Sequence, residues 1–159
     1  MAGMTRIYVP ADVAMLRRLA ETGELASTEP VHMVTRALRE AHPDADIEDL
    51  EYTAFDDAAL ASAALLVHGS EPRRVVVSAD VPDERVTERP GGTAADLHGA
   101  VGFAQVAAVH MDDADAAAEI AARLAAETPD PAAAEDHLLD WYAPSELHGL
   151  LADLGSSSP

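Results

Sequence analysis

The chain has 159 residues, and 29 Asp and Glu against 10 Arg, with no Lys, give a formal net charge of −19. That length suits one domain. The 48% hydrophobic content argues against wholesale disorder, and no apolar run approaches the roughly 18–20 residues of a membrane helix. The absence of Cys excludes disulfides, thiolate catalysis and Cys-ligated zinc or iron–sulfur centres.

In chain order, residues 5–9 (TRIYV) form a β-branched and aromatic run bounded by Pro10, and predict an opening strand. Residues 11–25 follow as a helix with Val13, Leu16 and Leu19 on one face and Arg17 and Arg18 on the other. Asp12 or Pro10 starts it and Gly23 stops it. Residues 31–35 (VHMVT) predict a second strand, and Thr35 then caps a short helix that Pro43 ends. Asp46 is placed to cap a long helix whose apolar stripe is Ile47, Leu50, Ala54, Ala58, Ala61 and Leu65, finishing near Gly69.

Residues 73–79 (RRVVVSA) give the clearest strand, with three consecutive valines as expected where both faces are covered. Residues 82–96, containing ERPGGT, predict a loop. A further strand region covers 100–103 and 106–111, interrupted near Gln105. Asp112 and Asp113 begin a helix with a stripe of Ala117, Ile120, Ala121 and Leu124. Residues 128–136 form a proline-punctuated loop, and 137–143 (HLLDWYA) a last strand. Pro144 and Ser145 open a final helix carrying Leu147, Leu150, Leu151 and Leu154, closed by Gly155. That stripe is expected to pack on its own sheet, so a monomer is favoured over a dimer. Residues 155–159 are expected to be a disordered tail.

The pattern predicts one α/β layered domain over residues 4–154, with a mixed sheet of about five strands and packed helices. A ferredoxin-like α+β arrangement with additions is the alternative.

Few residues suggest chemistry. VHMDDAD, residues 109–115, places His110, Asp112 and Asp113 where a strand ends and a helix starts, as a divalent metal site would require. The plainer reading is an acidic helix start, since Asp is a preferred cap and complements the macrodipole. Asp80 follows the valine strand. It would join Asp112 at one sheet edge if their strands were parallel neighbours; otherwise Asp80-Val81-Pro82 is a turn. The other histidines lack HExxH spacing, no GxSxG elbow serves a serine nucleophile, and a P-loop is excluded without Lys. Trp141 and Tyr142 are adjacent on a strand and face opposite ways, so one of them is a candidate anchor for a partner. Small-ligand binding beside Tyr8 is a third reading.

Beyond Pro90, Arg123 is the only basic residue against a dozen carboxylates. That field repels phosphate backbones and anionic lipid, so no nucleic acid and no membrane is expected as a partner. The acidity reads either as a solvated, soluble surface or as a face for a basic protein surface. MAGMTRIYVP lacks the layout of a secretory signal, and a cytoplasmic location is expected.

The blocks RIYVPA, RRVVVSADVP, AAVHMDDADA and LLDWYAPSEL span most of residues 6–147. In them the chain resembles a family of small acidic proteins of unknown function from high-GC Gram-positive bacteria. The resemblance implies a single bacterial cytosolic domain and carries no catalytic residues. The leading expectation is a non-enzymatic protein-interaction or regulatory module with no cofactor. The alternative is a metal-dependent hydrolase or phosphate-handling enzyme using Asp80, His110, Asp112 and Asp113 with a divalent metal.

Overall fold

The computed structural model describes residues 3–27, 29–67, 71–125 and 138–156. The elements run β1 (Met4–Ala11), α1 (Val13–Thr22), β2 (Glu24–Leu25), β3 (Val31–His32), α2 (Arg36–Ala41), α3 (Ile47–Leu65) and β4 (Val75–Pro82). They continue with β5 (Val86–Glu88), β6 (Ala94–Leu97), β7 (Val101–Gly102), β8 (Val106–Met111), α4 (Ala114–Leu124), β9 (Asp140–Tyr142) and α5 (Leu147–Ser156).

Seven strands form one sheet in the order β5-β6-β3-β1-β4-β8-β9, and β2 pairs with β7 in a small second sheet. Every pairing is antiparallel. The sheet is therefore larger than the expected five strands, and it is not mixed. The helical crossover from β3 through α2 and α3 does return to a strand running the same way, β4. Yet β1 lies between them, so the parallel strands never touch. Such a split crossover is a device of ferredoxin-like layers, embedded here in a seven-strand order.

The loop expected over 82–96 instead contains β5 and β6, a hairpin pairing Val86 with Leu97 and Glu88 with Ala95. Its turn uses Gly91 (φ 75°) and Gly92 (φ 62°), conformations open to glycine at no steric cost. The Pro-Gly-Gly punctuation was legible as a break; the strands on either side of it, three and four residues long and without an alternating pattern, were not. Asp80, Val81 and Pro82 remain within β4, paired with Arg6, Thr5 and Met4, and do not form the expected turn. In the other direction, β3 keeps only two of the five strand residues expected at 31–35.

Local signals set most helix ends. Asp12 accepts from the Met15 N–H at 2.8 Å, and Gly23 closes α1 in the left-handed region. Thr35 accepts from the Leu38 N–H, and Asp113 from that of Ala116. Asp46 precedes α3 without a side-chain cap bond, and the helix stops at Leu65; Gly69 lies outside the described residues. The strand foreseen at 137–143 begins at Asp140, α5 extends through Ser156, and residues 128–137 and 157–159 also lie outside the described ones.

Period-two alternation divides the sheet into two faces. On one face Ile7, Val9, Val75, Val77, Val109 and Met111 are buried against Leu16 and Leu19 of α1 and against Leu147, Leu151 and Leu154 of α5. On the other, Tyr8 and Val76 are buried against Ala54, Ala58 and Ala59 of α3. These alanines let the helix lie close to the strands. Ser62, fully buried, then donates to the Ala11 carbonyl at 2.6 Å and accepts from the Val75 N–H at 2.8 Å. One hydroxyl thus joins the end of β1 to the start of β4. The expected stripes shift accordingly: Ile47 and Ala121 are exposed, while Ser62 and Ala116 are buried.

The C-terminal stripe packs within its own chain. Leu147, Leu151 and Leu154 are core residues, whereas Leu150 is only partly covered. Leu147→Ala should therefore destabilise by about 2–5 kcal/mol, and Leu150→Ala by clearly less, as read from urea unfolding midpoints at constant slope. Equal losses at the two positions would contradict this packing.

Candidate functional site

The four carboxylate and imidazole candidates do not share a cleft. Asp112 is fully buried, and its two oxygens accept from Arg74 Nε and Nη2 at 2.8 and 2.7 Å and from the Arg74 backbone N–H at 2.8 Å. Arg74 is itself 4% exposed. The pair fastens the start of β4 to the end of β8, with Arg73 Nη1 donating to the Asp112 carbonyl at 2.8 Å. A buried charge of this kind is tolerable only because its lone pairs are filled. Asp113 caps α4. Asp80 is paired with Arg6 through two hydrogen bonds, at 2.7 and 3.0 Å, on a half-exposed surface. Because β4 and β8 are antiparallel, Asp80 and Asp112 lie at opposite ends of β4, roughly 20 Å apart at about 3.3 Å per residue. Among the described residues no group of three His, Asp or Glu side chains is arranged to hold a metal ion.

His110 belongs to a different neighbourhood. It lies on the α3 face of β8, where the register places it between Val76 and Trp141. Its Nε2 is 2.9 Å from the Ser78 hydroxyl, and its ring meets Phe55 edge-on at 4.8 Å between centroids. Phe55 in turn meets Tyr8 edge-on at 5.9 Å. Ser78 is 3% exposed and lines the same cavity as His110, and no described carboxylate orients His110. The contact joins β4 to β8 on the α3 face. Burial, followed by the nearby charge of Arg6, lowers His110 from 6.5 to about 4, so its imidazole is neutral at physiological pH.

His32 is engaged as well. Its Nδ1 lies 2.8 Å from the Thr93 hydroxyl, which donates to Asp57 at 2.7 Å. That hydroxyl has one proton, so His32 Nδ1–H is the donor and the tautomer is assigned by its partners. Burial lowers His32 and the Asp57 charge opposes this. The chain of three ties β3 and the β5–β6 turn to α3.

An open strip on the α3 face remains. α3 lies over β3, β1 and β4, leaving β8 and β9 partly uncovered. Two cavities flank the row formed by Arg6 and Tyr8. One, of about 290 Å³, lies toward β8 and β9, with His110, Phe55, Tyr52, Trp141 and Glu48 in its walls. The other, of about 560 Å³, lies toward α2 and β5. Arg6, Tyr8 and Glu51 line both. Trp141 faces the first cavity and stays exposed, while Tyr142 turns into the main core. Burial first, then the Glu51 charge, raises the Tyr8 phenol above its usual range, so its hydroxyl stays protonated. Arg6, Tyr8, Ser78 and Asp80 could have been placed on one face from strand alternation. Glu51, Tyr52 and Phe55 could not, because their site exists only where α3 crosses the sheet.

The fold and strip define an α/β domain with an antiparallel sheet and a partly open helical face. The chain belongs to a family of unknown function (DUF6912), which it matches over residues 5–151. No curated protein and no solved structure matches it. None of the described helices is long and apolar enough to cross a membrane.

Two outcomes test these assignments. Asp112→Asn should cost about 3–5 kcal/mol, because it removes the buried carboxylate charge that accepts three Arg74 donors. Asp113→Asn should cost less than about 1 kcal/mol, since Asn caps nearly as well as Asp. Chemical denaturation of the two single variants separates them, and a mild effect at Asp112 would contradict its structural role. For His110, the unfolded chain takes up a proton near the ordinary imidazole value while the folded chain resists down to about pH 4. The folded state therefore holds fewer protons in that window, and stability is lost as pH falls through it. The loss for this partly screened group should be on the order of 1–2 kcal/mol between about pH 7 and about pH 5. His110→Gln retains a hydrogen-bonding partner for Ser78 and should reduce that pH dependence in urea melts.

Proposed function

We propose that this protein is a non-enzymatic binding module that holds a basic protein partner against the open strip beside β9. The observation that carries this reading is a pair of large exposed aromatics, Trp141 at 61% and Tyr52 at 56%, at one cavity with Glu48 and Glu51. Exposed Trp and Tyr are favoured interface anchors, and their ring faces attract guanidinium and ammonium groups. The carboxylates beside them favour the same cations. A net charge of −19 would draw a basic partner over distance, with a rate that falls as salt rises. A hydrolase built on Asp80, His110, Asp112 and Asp113 lacks comparable support, since each of these already has a protein partner.

Trp141 is the only Trp, so its emission reports on the strip directly. Proteins captured from extract by the wild type should be basic and released by salt. The purified partner should shift Trp141 emission, and Tyr52→Ala, which leaves the fluorophore in place, should weaken the complex by about tenfold or more. Trp141→Ala should weaken capture similarly. Capture that is unchanged when Tyr52→Ala and Trp141→Ala are combined, or indifferent to salt, would overturn this reading.

A further inference from the structure

We infer that the larger cavity, between α2, the start of β1 and β5, binds a small organic anion: a carboxylate or phosphate on an apolar body. Its volume of about 560 Å³ lies within the usual range of small-molecule sites. Three of the 10 arginines of a strongly acidic chain line it, Arg6, Arg36 and Arg39. Arg36 and Arg39 are three apart on α2 and so share a face of that helix. Both are exposed, and neither guanidinium makes an ion pair with a described residue. Arg6 is held by Asp80 through Nε and Nη2, which leaves Nη1 available to a ligand.

Three carboxylates line the cavity as well, and Glu51 among them acts on Arg6 and Tyr8. Asp83 accepts from the Thr5 hydroxyl at 2.5 Å, and Glu88 from the Arg36 backbone N–H at 2.6 Å. Arg36 and Arg39 are the lining guanidinium groups that no described carboxylate pairs with, and they are the groups left to an anion. Guanidinium forks match the planar carboxylate and the phosphate group with paired hydrogen bonds. Met4 and Ile47, both about half exposed, line the same space and offer an apolar surface to the body of such a ligand. The buried Tyr8 ring closes the side shared with the Trp141 strip. The site adjoins the proposed docking strip across the Arg6–Tyr8 row, with Arg36 and Arg39 on its own side alone and Trp141 and Tyr52 on the other.

Calorimetric titration of the full chain tests this with four probes. They are 4-phenylbutyrate, phenyl phosphate, benzylamine as a cation of similar body, and inorganic phosphate as an anion without one. At least one aromatic anion should bind saturably, and the stronger of the two names the headgroup. Benzylamine should not bind, and inorganic phosphate should bind more weakly. Arg36→Gln and Arg39→Gln should each weaken binding by about tenfold, and the double variant by more. Circular dichroism melts check that these exposed substitutions leave the fold intact. Trp141→Ala should leave anion binding unchanged while reducing partner capture, so the two readings fail separately. Failure of both aromatic anions to bind, equal binding of benzylamine, preference for bare phosphate, or indifference to the double variant would each overturn the assignment.

Discussion

The ladder between β1 and β4 is the constraint on which the remaining structure depends. Eight consecutive residues of each strand are paired, from Met4 with Pro82 to Ala11 with Val75. Once that register is set, alternation assigns every side chain of both strands to a face. Ile7, Val9, Val75 and Val77 go to the face that α1 and α5 cover, and Tyr8, Val76 and Ser78 to the face under α3. A slip of one residue would turn Arg6 and Tyr8 into the main core and expose the valines. The cost of that exchange, several apolar side chains at about 1.5–3 kcal/mol each, is why the register is unique. Ser62 and the Arg74–Asp112 pair then hold the ladder from the helix above it and from the neighbouring strand.

The two faces are closed to different degrees. The α1 and α5 side is a continuous apolar core built from leucines and valines, with little polar character. The α3 side is built from alanines and a few aromatics, and it surrounds hydrogen-bonded groups such as Ser78 with His110 and His32 with Thr93 and Asp57. A single helix cannot span seven strands. The uncovered margins are where Trp141 on one side, and Arg36 and Arg39 on the other, meet solvent beside a cavity.

Charge is distributed with similar economy. Of the four ion pairs among the described residues, one is buried and three lie at or near the surface. Surface pairs of this kind contribute little to stability, so Arg6–Asp80 and Arg89–Asp96 chiefly orient side chains. Arg85 instead donates to the His98 and Ala100 carbonyls, tying the hairpin to the segment that leads into β7. With several arginines committed to such tasks, two at a cavity whose guanidinium groups pair with no described carboxylate are conspicuous against 29 acidic residues.

The sequence by itself determined what depends on neighbours along the chain. The caps at Asp12, Thr35 and Asp113, the stop at Gly23, the valine strand and the leucine stripe of α5 are all short-range signals, and each was readable. The opposite facing of Trp141 and Tyr142 was also readable, because alternation is local. Strand order and direction were not, since β3 and β4 are kept apart by β1, which precedes both in the chain. Nor were β5 and β6, whose sequences are too short to show a period and pair with each other and with β3. The same limit governs the site. Asp112 looked like a ligand or a cap because its partner, Arg74, is 38 residues away and reaches it only through the β4–β8 register. Tertiary structure alone decided that pairing, as it decided the meeting of Tyr8, Phe55 and His110, because these contacts join segments whose separation in sequence carries no local signature.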